Sequence, residues 1–273
     1  MTLIIKKIDN KISQENSVII PTMGSLHEGH KSLIEIAKRT NKKVIVSIFV
    51  NEKQFNDQND FKNYPRNQQK DLEMLSDLEV DYVFVPENDY IYSFNEYENI
   101  TSGKVGSIYE GHFRPGHFDG VLTVVKRLFD LVKPNVAIFG KKDAQQLFLI
   151  KNMIQNYKLN IEVIEAPTIR SRSGLALSSR NNLLDDTCLE IASSINRILK
   201  SVNENIKSGK EIFQSLNTGI QEFENNDHIE LEYLDIVSGK NFSNDIQNSS
   251  NLLLIFAGYI KGVRLIDNLE ILL

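Results

Sequence analysis

The first 167 residues alternate short, almost wholly apolar runs with longer segments in which apolar residues recur at helical spacing. The apolar runs cover residues 17–20, 43–50, 81–86, 135–140 and 161–167. The helical patterns between them cover residues 30–40, 66–78, 121–132 and 143–157. Strands without polar alternation, separated by amphipathic helices, are what a parallel sheet covered on both faces requires. The pattern therefore predicts an α/β fold with a doubly wound, Rossmann-like parallel sheet.

The last third of the chain has a different order of elements, in which two helical patterns precede three consecutive strand patterns. They cover residues 186–208, 210–225, 229–238, 251–260 and 263–271. Helices followed by neighbouring strands are typical of an α+β unit with an antiparallel sheet. We therefore expect a Rossmann-like domain over residues 1–175 and a second, smaller α+β C-terminal domain, acting as a lid, over residues 176–273.

Composition makes a small-molecule enzyme the leading broad class of function for this chain. The chain of 273 residues is long enough to bury a large core, so folding needs neither disulfides nor a structural metal. With Cys188 as its single cysteine it cannot form an internal disulfide, which favours a reducing compartment, and we expect the cytoplasm. A net charge of −5 argues against a protein that grips nucleic acid. We expect no signal peptide, because the apolar run at the N-terminus is too short, and no membrane span, because no later segment approaches about 18 apolar residues.

The first motif with chemical content is PTMGSLHEGH at residues 21–30, where the first predicted strand passes into the first helix. In an open α/β sheet, ligands bind beyond the carboxyl ends of the strands, and this turn would direct backbone amides and a helix N-terminus there. Gly24 and Gly29 permit close approach of a ligand. His27 and His30 share one face if the helix has begun. The motif indicates a phosphate site.

Two other interpretations of these histidines stay open. A histidine at the start of a helix is commonly a cap or a surface group. A zinc site is less favoured, because H-E-x-x-H places its histidines four residues apart, whereas here they are three apart and no third ligand is evident.

Two further polar segments carry positive charge. FGKKDAQQL, at 139–147, again joins a strand end to a helix. Its Lys142 can bind phosphate and its Asp143 can hold ribose hydroxyls, or the two can be a solvated lysine and a helix cap. RSRSGLALSSRNNLL, at 170–184, places serine hydroxyls beside Arg180, whose guanidinium binds phosphate oxygens in pairs. A plain interdomain linker is the alternative for this second segment.

Two loops offer other polar groups. FVNEKQF, at 49–55, carries Asn51 and Gln54, which suit a small substrate with hydroxyl groups. YEGHFRPGHFDG, at 109–120, has the composition of a pocket-lining loop, although we expect His117 within it to be a structural residue bonded to backbone.

The ordered set of motifs resembles the pantoate–β-alanine ligase family over nearly the whole chain. Each motif is weak alone, but their order and spacing together are specific. The set consists of PTMGSLHEGH, FVNEKQF, YPR at 64–66, GHFRPGHFDGV, FGKKDAQQL, GLALSSRN and the late RLIDN. The resemblance implies a nucleotidyltransferase-like Rossmann domain with a HIGH-type signature, a smaller C-terminal domain, a homodimer, and the use of ATP with Mg2+.

The resemblance also implies a reaction in two steps. The carboxylate of (R)-pantoate attacks the α-phosphate of ATP to give a bound pantoyl adenylate and pyrophosphate, and the amine of β-alanine then displaces AMP to form pantothenate. The substrates supply the nucleophiles, which agrees with a sequence that offers no evident Ser/His/Asp or Cys/His set. A main task of the protein is then to align the pantoate carboxylate with the ATP triphosphate. Alignment alone can lower a barrier by roughly 7–11 kcal/mol.

Site residues are implied by the same resemblance, position by position. His30 would donate a hydrogen bond or a proton to the phosphates, with His27 beside it and Lys142 gripping the phosphates, as the catalytic set. Gln54 and Gln146 would hold pantoate, with Gln54 also near β-alanine. The residues implied for ATP binding are Met23, Gly24, Ser25, Leu26, His27, Glu28, Gly29, His30, Gly140, Lys141, Lys142, Asp143, Ile169, Leu177, Ser178, Ser179 and Arg180.

Two departures from the family's pattern bear on the site. The common G-E-K-D is G-K-K-D at 140–143 here, which places a base where the family has an acid. The common N-P-x-Q-F is N-E-K-Q-F at 51–55, which lacks a proline that would stiffen the loop. The residues that hold Mg2+ are not assigned, although Asp71 is a possible acid near the phosphates.

Two other functions stay open for the sequence. A nucleotidyltransferase that adenylates a phosphate-bearing acceptor would use the same turn and would need no amine. A non-catalytic nucleotide-binding module would bind ATP without turnover, which the presence of both histidines, Lys142 and Arg180 disfavours.

Overall fold

The computed structural model describes residues 2–13, 16–93, 96–247 and 249–272. The chain divides into two compact units. The first comprises Met1–Lys141 and Gln145–Pro167, and the second comprises Lys142–Ala144 and Thr168–Leu273. The domain boundary expected after residue 175 stays a prediction.

A six-stranded sheet forms the centre of the first unit, and all its neighbouring strands pair in parallel. In chain order the strands are β1 (Leu3–Ile5), β2 (Ser17–Thr22), β3 (Lys43–Ile48), β4 (Tyr82–Phe84), β5 (Val136–Gly140) and β6 (Glu162–Ala166). Their order in the sheet is β1-β4-β3-β2-β5-β6. The register pairs Thr22 with Ile48, so β2 and β3 end side by side.

Helices connect these strands. The α-helices before Pro167 are α1 (Asn10–Ser13), α2 (Glu28–Lys38), α3 (Gln58–Asn63), α4 (Gln68–Asp77), α5 (Asn88–Ile91), α6 (Glu110–Phe113), α7 (His117–Val132) and α8 (Ala144–Asn156). The predicted helices correspond to α2, α4, α7 and α8, and the predicted doubly wound α/β fold is confirmed. β1 was not among the predicted strands, and its Leu3 and Ile4 are 50% and 58% exposed at the edge of the sheet.

The central strands are buried on both faces, because successive apolar residues of a strand point to opposite sides. On one side Ile19 packs in a cluster with Phe129 of α7. On the other side Val18 packs in a cluster with Ile34 of α2. The apolar runs of the sequence thus supply two hydrophobic cores on one sheet.

The second unit has two long helices and three antiparallel strands. They are α9 (Asp186–Lys207), α10 (Ile212–Glu224), β7 (Glu230–Ser238), β8 (Asn251–Ile260) and β9 (Val263–Leu272), with the sheet order β7-β8-β9. Apolar residues of both helices pack on this sheet, and Phe223 stacks on Phe256 with ring centroids 4.7 Å apart. The smaller α+β fold expected for the C-terminal part is confirmed. Across the described residues, every helix falls short of the combined length and apolarity that a membrane span requires.

The start of α9 carries an ion pair whose contribution depends on pH. Asp185 caps the helix by accepting the backbone N–H of Cys188 at 2.9 Å, and it also accepts from the Lys261 ammonium at 2.8 Å. The bond from Lys261, followed by that from Cys188, lowers the pKa of Asp185 below its ordinary value. The folded state thus favours the charged carboxylate. Its stabilisation is complete above the unfolded pKa of about 4 and is lost as the pH falls through the folded pKa.

Asp185→Asn keeps a capping side chain but removes the charge. We therefore expect a small decrease in the free energy of unfolding at pH 7, which shrinks once the pH is below about 4. Urea denaturation of both proteins at pH 7 and at pH 3 measures the difference, and Asp186→Asn is a control that removes a charge from the same helical turn. An equal difference at both pH values would contradict the ion-pair explanation.

Candidate active site

The strand order of the first sheet reverses at β2, because β3 and β4 lie on one side of it and β5 and β6 on the other. At such a switch point the connections leave the two central strands in different directions, which opens a crevice at the carboxyl edge of the sheet. At this edge β2 leads into residues 23–27, β3 leads into residues 49–55, and β5 ends at Gly140. Polar segments predicted from the sequence therefore follow three neighbouring strands.

The buried carboxylate of Asp71, in α4, holds the loop between β2 and α2. Its Oδ2 accepts the N–H of Ser25 at 2.8 Å, and its Oδ1 accepts the N–H of Leu26 at 2.7 Å. Gly24 has a φ of +80° and Ser25 a φ of +52°, and glycine adopts this left-handed conformation at no steric cost. A Cβ on Gly24 would lie 2.9 Å from Asp71 Oδ2, so the loop and the carboxylate are closely fitted.

His27 and His30 form a reciprocal cap at the start of α2. His27 is the N-cap residue, and its Nδ1 accepts the N–H of Gly29 at 3.1 Å. Nδ1 of His30 accepts the N–H of His27 at 3.3 Å, and the two ring centroids are 4.2 Å apart. Since Nδ1 of each ring is an acceptor, the proton of each neutral imidazole is on Nε2. The capping interpretation of His27 is thus correct, and in this tautomer the donor of each ring is its Nε2–H.

Backbone amides of this loop are bonded within the protein. Side-chain acceptors or the carbonyl of His27 engage the N–H groups of Gly24, Ser25, Leu26, His27, Gly29, His30 and Lys31. The sequence predicted that this turn directs its backbone amides at a ligand, and for these amides the prediction is wrong, because local side chains compete for them. An anion that approached these seven amides would have to compete with their present acceptors.

The connection after β3 contains a 3-10 turn at Glu52–Gln54, which has a buried residue at its end and another just before it. Asn51 and Gln54 are 1% and 6% exposed. Nε2 of Gln54 lies 2.8 Å from Sδ of Met23, so the structure brings the predicted pantoate residue to the start of the histidine loop. Nδ1 of His117 is 2.8 Å from the backbone carbonyl of Gln54, which confirms the backbone bond expected for that histidine.

The two glutamines of α8 have different surroundings. Gln145 is buried, and its Oε1 accepts the N–H of Glu110 at 3.1 Å. Its Nε2 donates to the carbonyls of Val105 and Ile108 at 2.7 and 2.8 Å. These bonds use the Gln145 amide to fix the segment before α7. Gln146, the glutamine predicted to bind substrate, is only partly buried.

Three further predicted ATP residues lie near the ends of β2 and β5. Gly140 ends β5, and the N–H of Lys141 donates to the carbonyl of Ala166 at 2.8 Å, which continues the pairing with β6. Glu28 is exposed in the first turn of α2, with its Oε2 3.5 Å from Nζ of Lys31.

In the second unit, the backbone of Lys142 is held by β9. Nδ2 of Asn268 donates to the carbonyl of Lys142 at 2.7 Å, and Nζ of Lys142 lies 3.4 Å from Oδ1 of Asp143. The neighbouring Asp267 accepts from both terminal nitrogens of Arg170, at 2.6 and 2.8 Å. These contacts give the late RLIDN motif a supporting role beside Lys142.

The serine- and arginine-rich segment is folded back on itself. The N–H of Leu177 donates to the carbonyl of Ile169 at 2.9 Å. Ser178 then caps a 3-10 turn at Ser179–Leu183 by accepting the N–H of Arg180 at 3.3 Å. The predicted ATP residues of this segment thus lie in a backbone pairing and in the 3-10 turn that follows it, and this order does not favour the interdomain-linker interpretation.

Sequence reasoning missed two supporting residues, Asp71 and Asn268. The sequence suggests Asp71 as a possible acid near the phosphates, whereas in the structure both its oxygens accept backbone N–H groups. Its signal in the sequence is an acid four residues before Leu75, on the buried face of α4. In the described parts of the chain, no group of three His, Cys, Asp or Glu side chains is arranged to hold a metal ion.

A doubly wound parallel sheet with a histidine pair after its central strand defines an α/β protein whose candidate ligand site lies at the carboxyl edge of the sheet. Comparison with known proteins gives the family. The sequence pattern described as pantoate-beta-alanine ligase matches residues 2–270. The chain belongs to the pantoate–β-alanine ligase family and is an ATP-dependent ligase.

Individual relatives agree with this assignment. The pantothenate synthetase of Thermosipho africanus (strain TCF52B) is 39% identical over 270 residues, which are 97% of this chain and 96% of the relative. A crystal structure of pantothenate synthetase from Thermus thermophilus has a TM-score of 0.93 at 35% identity, covering 99% of this chain and 100% of that one. A pantoate-beta-alanine ligase from Francisella tularensis, complexed with beta-gamma ATP and beta-alanine, has a TM-score of 0.78 at 36% identity, with 98% and 97% covered. The family resemblance inferred from the sequence is confirmed.

Proposed function

We propose that this chain condenses (R)-pantoate with β-alanine to form pantothenate, using ATP and a pantoyl-adenylate intermediate. The family match over residues 2–270 is the observation that carries the proposal. The pair of His27 and His30 supports it, because two Nε2–H donors suit the charge that develops on phosphate during adenylation. The relatives do not favour the nucleotidyltransferase alternative.

Each step of the proposed reaction breaks one bond and forms one. In the first, a carboxylate oxygen of pantoate attacks the α-phosphorus of ATP, the P–O bond to the β-phosphate breaks, and pyrophosphate leaves. In the second, the amine of β-alanine attacks the acyl carbon, the C–O bond to AMP breaks, and the nitrogen loses a proton to water. The protein then has to align two anions and stabilise phosphate charge.

The proposed roles of the side chains follow from these two tasks of the protein. His30 donates to a phosphate oxygen, His27 stabilises charge beside it, and Lys142 binds the phosphates. Gln54 and Gln146 hold pantoate, with Gln54 also near β-alanine. The other ATP contacts are assigned to Met23, Gly24, Ser25, Leu26, Glu28, Gly29, Gly140, Lys141, Asp143, Ile169, Leu177, Ser178, Ser179 and Arg180. The internal bonds of the histidine loop mean that its glycines and serine act here through shape rather than as N–H donors.

Incubation with ATP, Mg2+, (R)-pantoate and β-alanine is expected to yield AMP, pyrophosphate and pantothenate in equal amounts. Without β-alanine we expect a single turnover of pyrophosphate, because the adenylate stays bound. Absence of AMP from the complete mixture would refute the ligase proposal. Pyrophosphate release without pantoate would favour the nucleotidyltransferase, and ATP binding without turnover would favour a non-catalytic module.

Magnesium belongs to this proposal as part of the substrate MgATP. The phosphate oxygens bind the ion, and cationic side chains such as Lys142 and Arg180 add positive charge. We expect EDTA to abolish AMP formation and added Mg2+ to restore it. Full activity in excess EDTA would remove the metal from the proposal.

The homodimer and the cytoplasmic location are proposed on the resemblance and on the cysteine content. Light scattering should give twice the 31.2 kDa mass of one chain. Cell fractionation should place the protein in the cytoplasm. A single-chain mass or a secreted protein would contradict the respective proposal.

A further inference from the structure

The orientation of the Asn51 amide is set by two backbone groups whose roles cannot be exchanged. The N–H of Lys53 can only donate, and it lies 3.3 Å from Oδ1 of Asn51. The carbonyl of Gly120 can only accept, and it lies 3.0 Å from Nδ2 of Asn51. A flipped amide would face donor to donor and acceptor to acceptor. Oδ1 of Asn51 is therefore an acceptor and Nδ2 a donor.

This orientation determines the orientation of Gln54. Nδ2 of Asn51 carries a second proton, and Oε1 of Gln54 lies 3.2 Å away to accept it. The amide nitrogen of Gln54 is consequently turned in the opposite direction, toward Sδ of Met23. A group that meets Gln54 from the histidine loop therefore meets N–H donors and not the carbonyl oxygen.

The hydroxyl of Tyr92 completes the same chain of hydrogen bonds. It lies 2.5 Å from Oδ1 of Asn51, and it must donate because that oxygen is an acceptor. Burial, with a smaller contribution from Tyr97, raises the pKa of Tyr92, so the hydroxyl keeps its proton at neutral pH. Packing holds the ring, since Phe49 lies against it and the Lys53 ammonium is 4.5 Å from its centre.

Close packing of α7 against the turn holds the Gly120 carbonyl, which accepts the Asn51 amide, in place. A Cβ on Gly120 would lie 2.2 Å from the carbonyl oxygen of Lys53, so only glycine allows the helix to approach the turn this closely. The turn thus has rigid contacts although its sequence lacks the proline common in the family.

We propose that Tyr92 is a positioning residue for pantoate, acting through Asn51 to hold Gln54 as a hydrogen-bond donor. The hydrogen bonds that link Tyr92, Asn51 and Gln54 select a substrate group that accepts a hydrogen bond, such as a carboxylate or hydroxyl oxygen. The inference rests on the proposed function, in which Gln54 binds pantoate.

Tyr92→Phe removes the hydroxyl and keeps the ring. We expect the KM for pantoate to rise about three- to tenfold, as for the loss of one neutral hydrogen bond, while the KM for ATP and the melting temperature stay near wild type. Tyr97→Phe is the matched control, because its hydroxyl bonds to the Lys53 ammonium at 2.9 Å and not to Asn51. The control should have the wild-type KM for pantoate.

A double-mutant cycle tests whether Tyr92 acts through Gln54. In a Gln54→Ala background, Tyr92→Phe should no longer change the KM for pantoate, because the group that it positions is gone. An effect of the same size in both backgrounds would overturn the inference, as would an equal rise of both KM values. If wild type forms no AMP, the proposed function itself fails. An active wild type beside a Tyr92→Phe variant with unchanged KM overturns the positioning role alone.

Discussion

Replacing His30 with alanine is expected to slow adenylate formation by about 10²–10³-fold while the protein stays folded. Nδ1 of His30 accepts the N–H of His27, so in the proposed reaction the ring would meet developing phosphate charge with its Nε2–H. A positioned donor of this kind acts most strongly in the transition state, where the phosphate charge is largest. The pantoate-dependent exchange of labelled pyrophosphate into ATP measures this step without the second one.

Two further substitutions separate the capping function of His30 Nδ1 from the hydrogen-bond donation by its Nε2–H. In His30→Asn the side-chain oxygen can replace Nδ1 and restore the cap, but the Nε2–H is lost. In His30→Gln the longer amide can place an N–H near the position of Nε2. We expect the asparagine variant to be as slow as the alanine variant and the glutamine variant to recover part of the rate. His228→Ala, at an exposed histidine, is the control. Near-normal exchange in His30→Ala would remove His30 from the mechanism.

Replacing Asp71 with alanine should affect both stability and activity. The N–H groups of Ser25 and Leu26 would lose their acceptors, and an unsatisfied amide costs about 1–3 kcal/mol when it stays buried. We therefore expect the free energy of unfolding to fall by about 2–4 kcal/mol. The loop that carries His27 and His30 would also shift, and a displacement of about 1 Å at a catalytic group can cost 10²-fold in rate.

Denaturation in urea and the pyrophosphate exchange assay measure these two effects. Asp71→Asn keeps one acceptor oxygen, so it should fold and show a smaller loss of both quantities. Asp77→Asn, at an exposed position near the end of the same helix, should resemble wild type. Wild-type stability and exchange in Asp71→Ala would show that the carboxylate does not organise the loop.

The fold could be predicted from the sequence largely because the central strands are buried on both faces. Val18 and Ile19 point to opposite sides of the sheet and both are fully buried, so the strand is a continuous apolar run. β1 is not such an apolar run. It is a short edge strand whose Leu3 and Ile4 are exposed, so its sequence does not have the pattern of a strand buried on both faces. The strand order was not predictable from these local patterns, since pairing depends on contacts between distant segments.

For the site, the sequence predicted which polar segments follow the strand ends, but not the contacts within them. His27 and His30 could be singled out from their place at a strand-to-helix junction. Their hydrogen bonds could not, because Asp71 is 46 residues from the Ser25 that it binds. The link from Tyr92 to Asn51 spans 41 residues and was equally hidden. Spacing within a motif does not reveal an acceptor from another helix.

The bonds that occupy the main-chain amides before α2 have a consequence for inhibitor design. A compound that offers an anion to these amides would first have to break their bonds to Asp71 and to the imidazole rings. A better competitor presents an acceptor to the imidazole N–H groups and a second acceptor to the amide of Gln54. Selective compounds against this enzyme should therefore be screened for contacts to side chains rather than for mimicry of a phosphate in an amide nest.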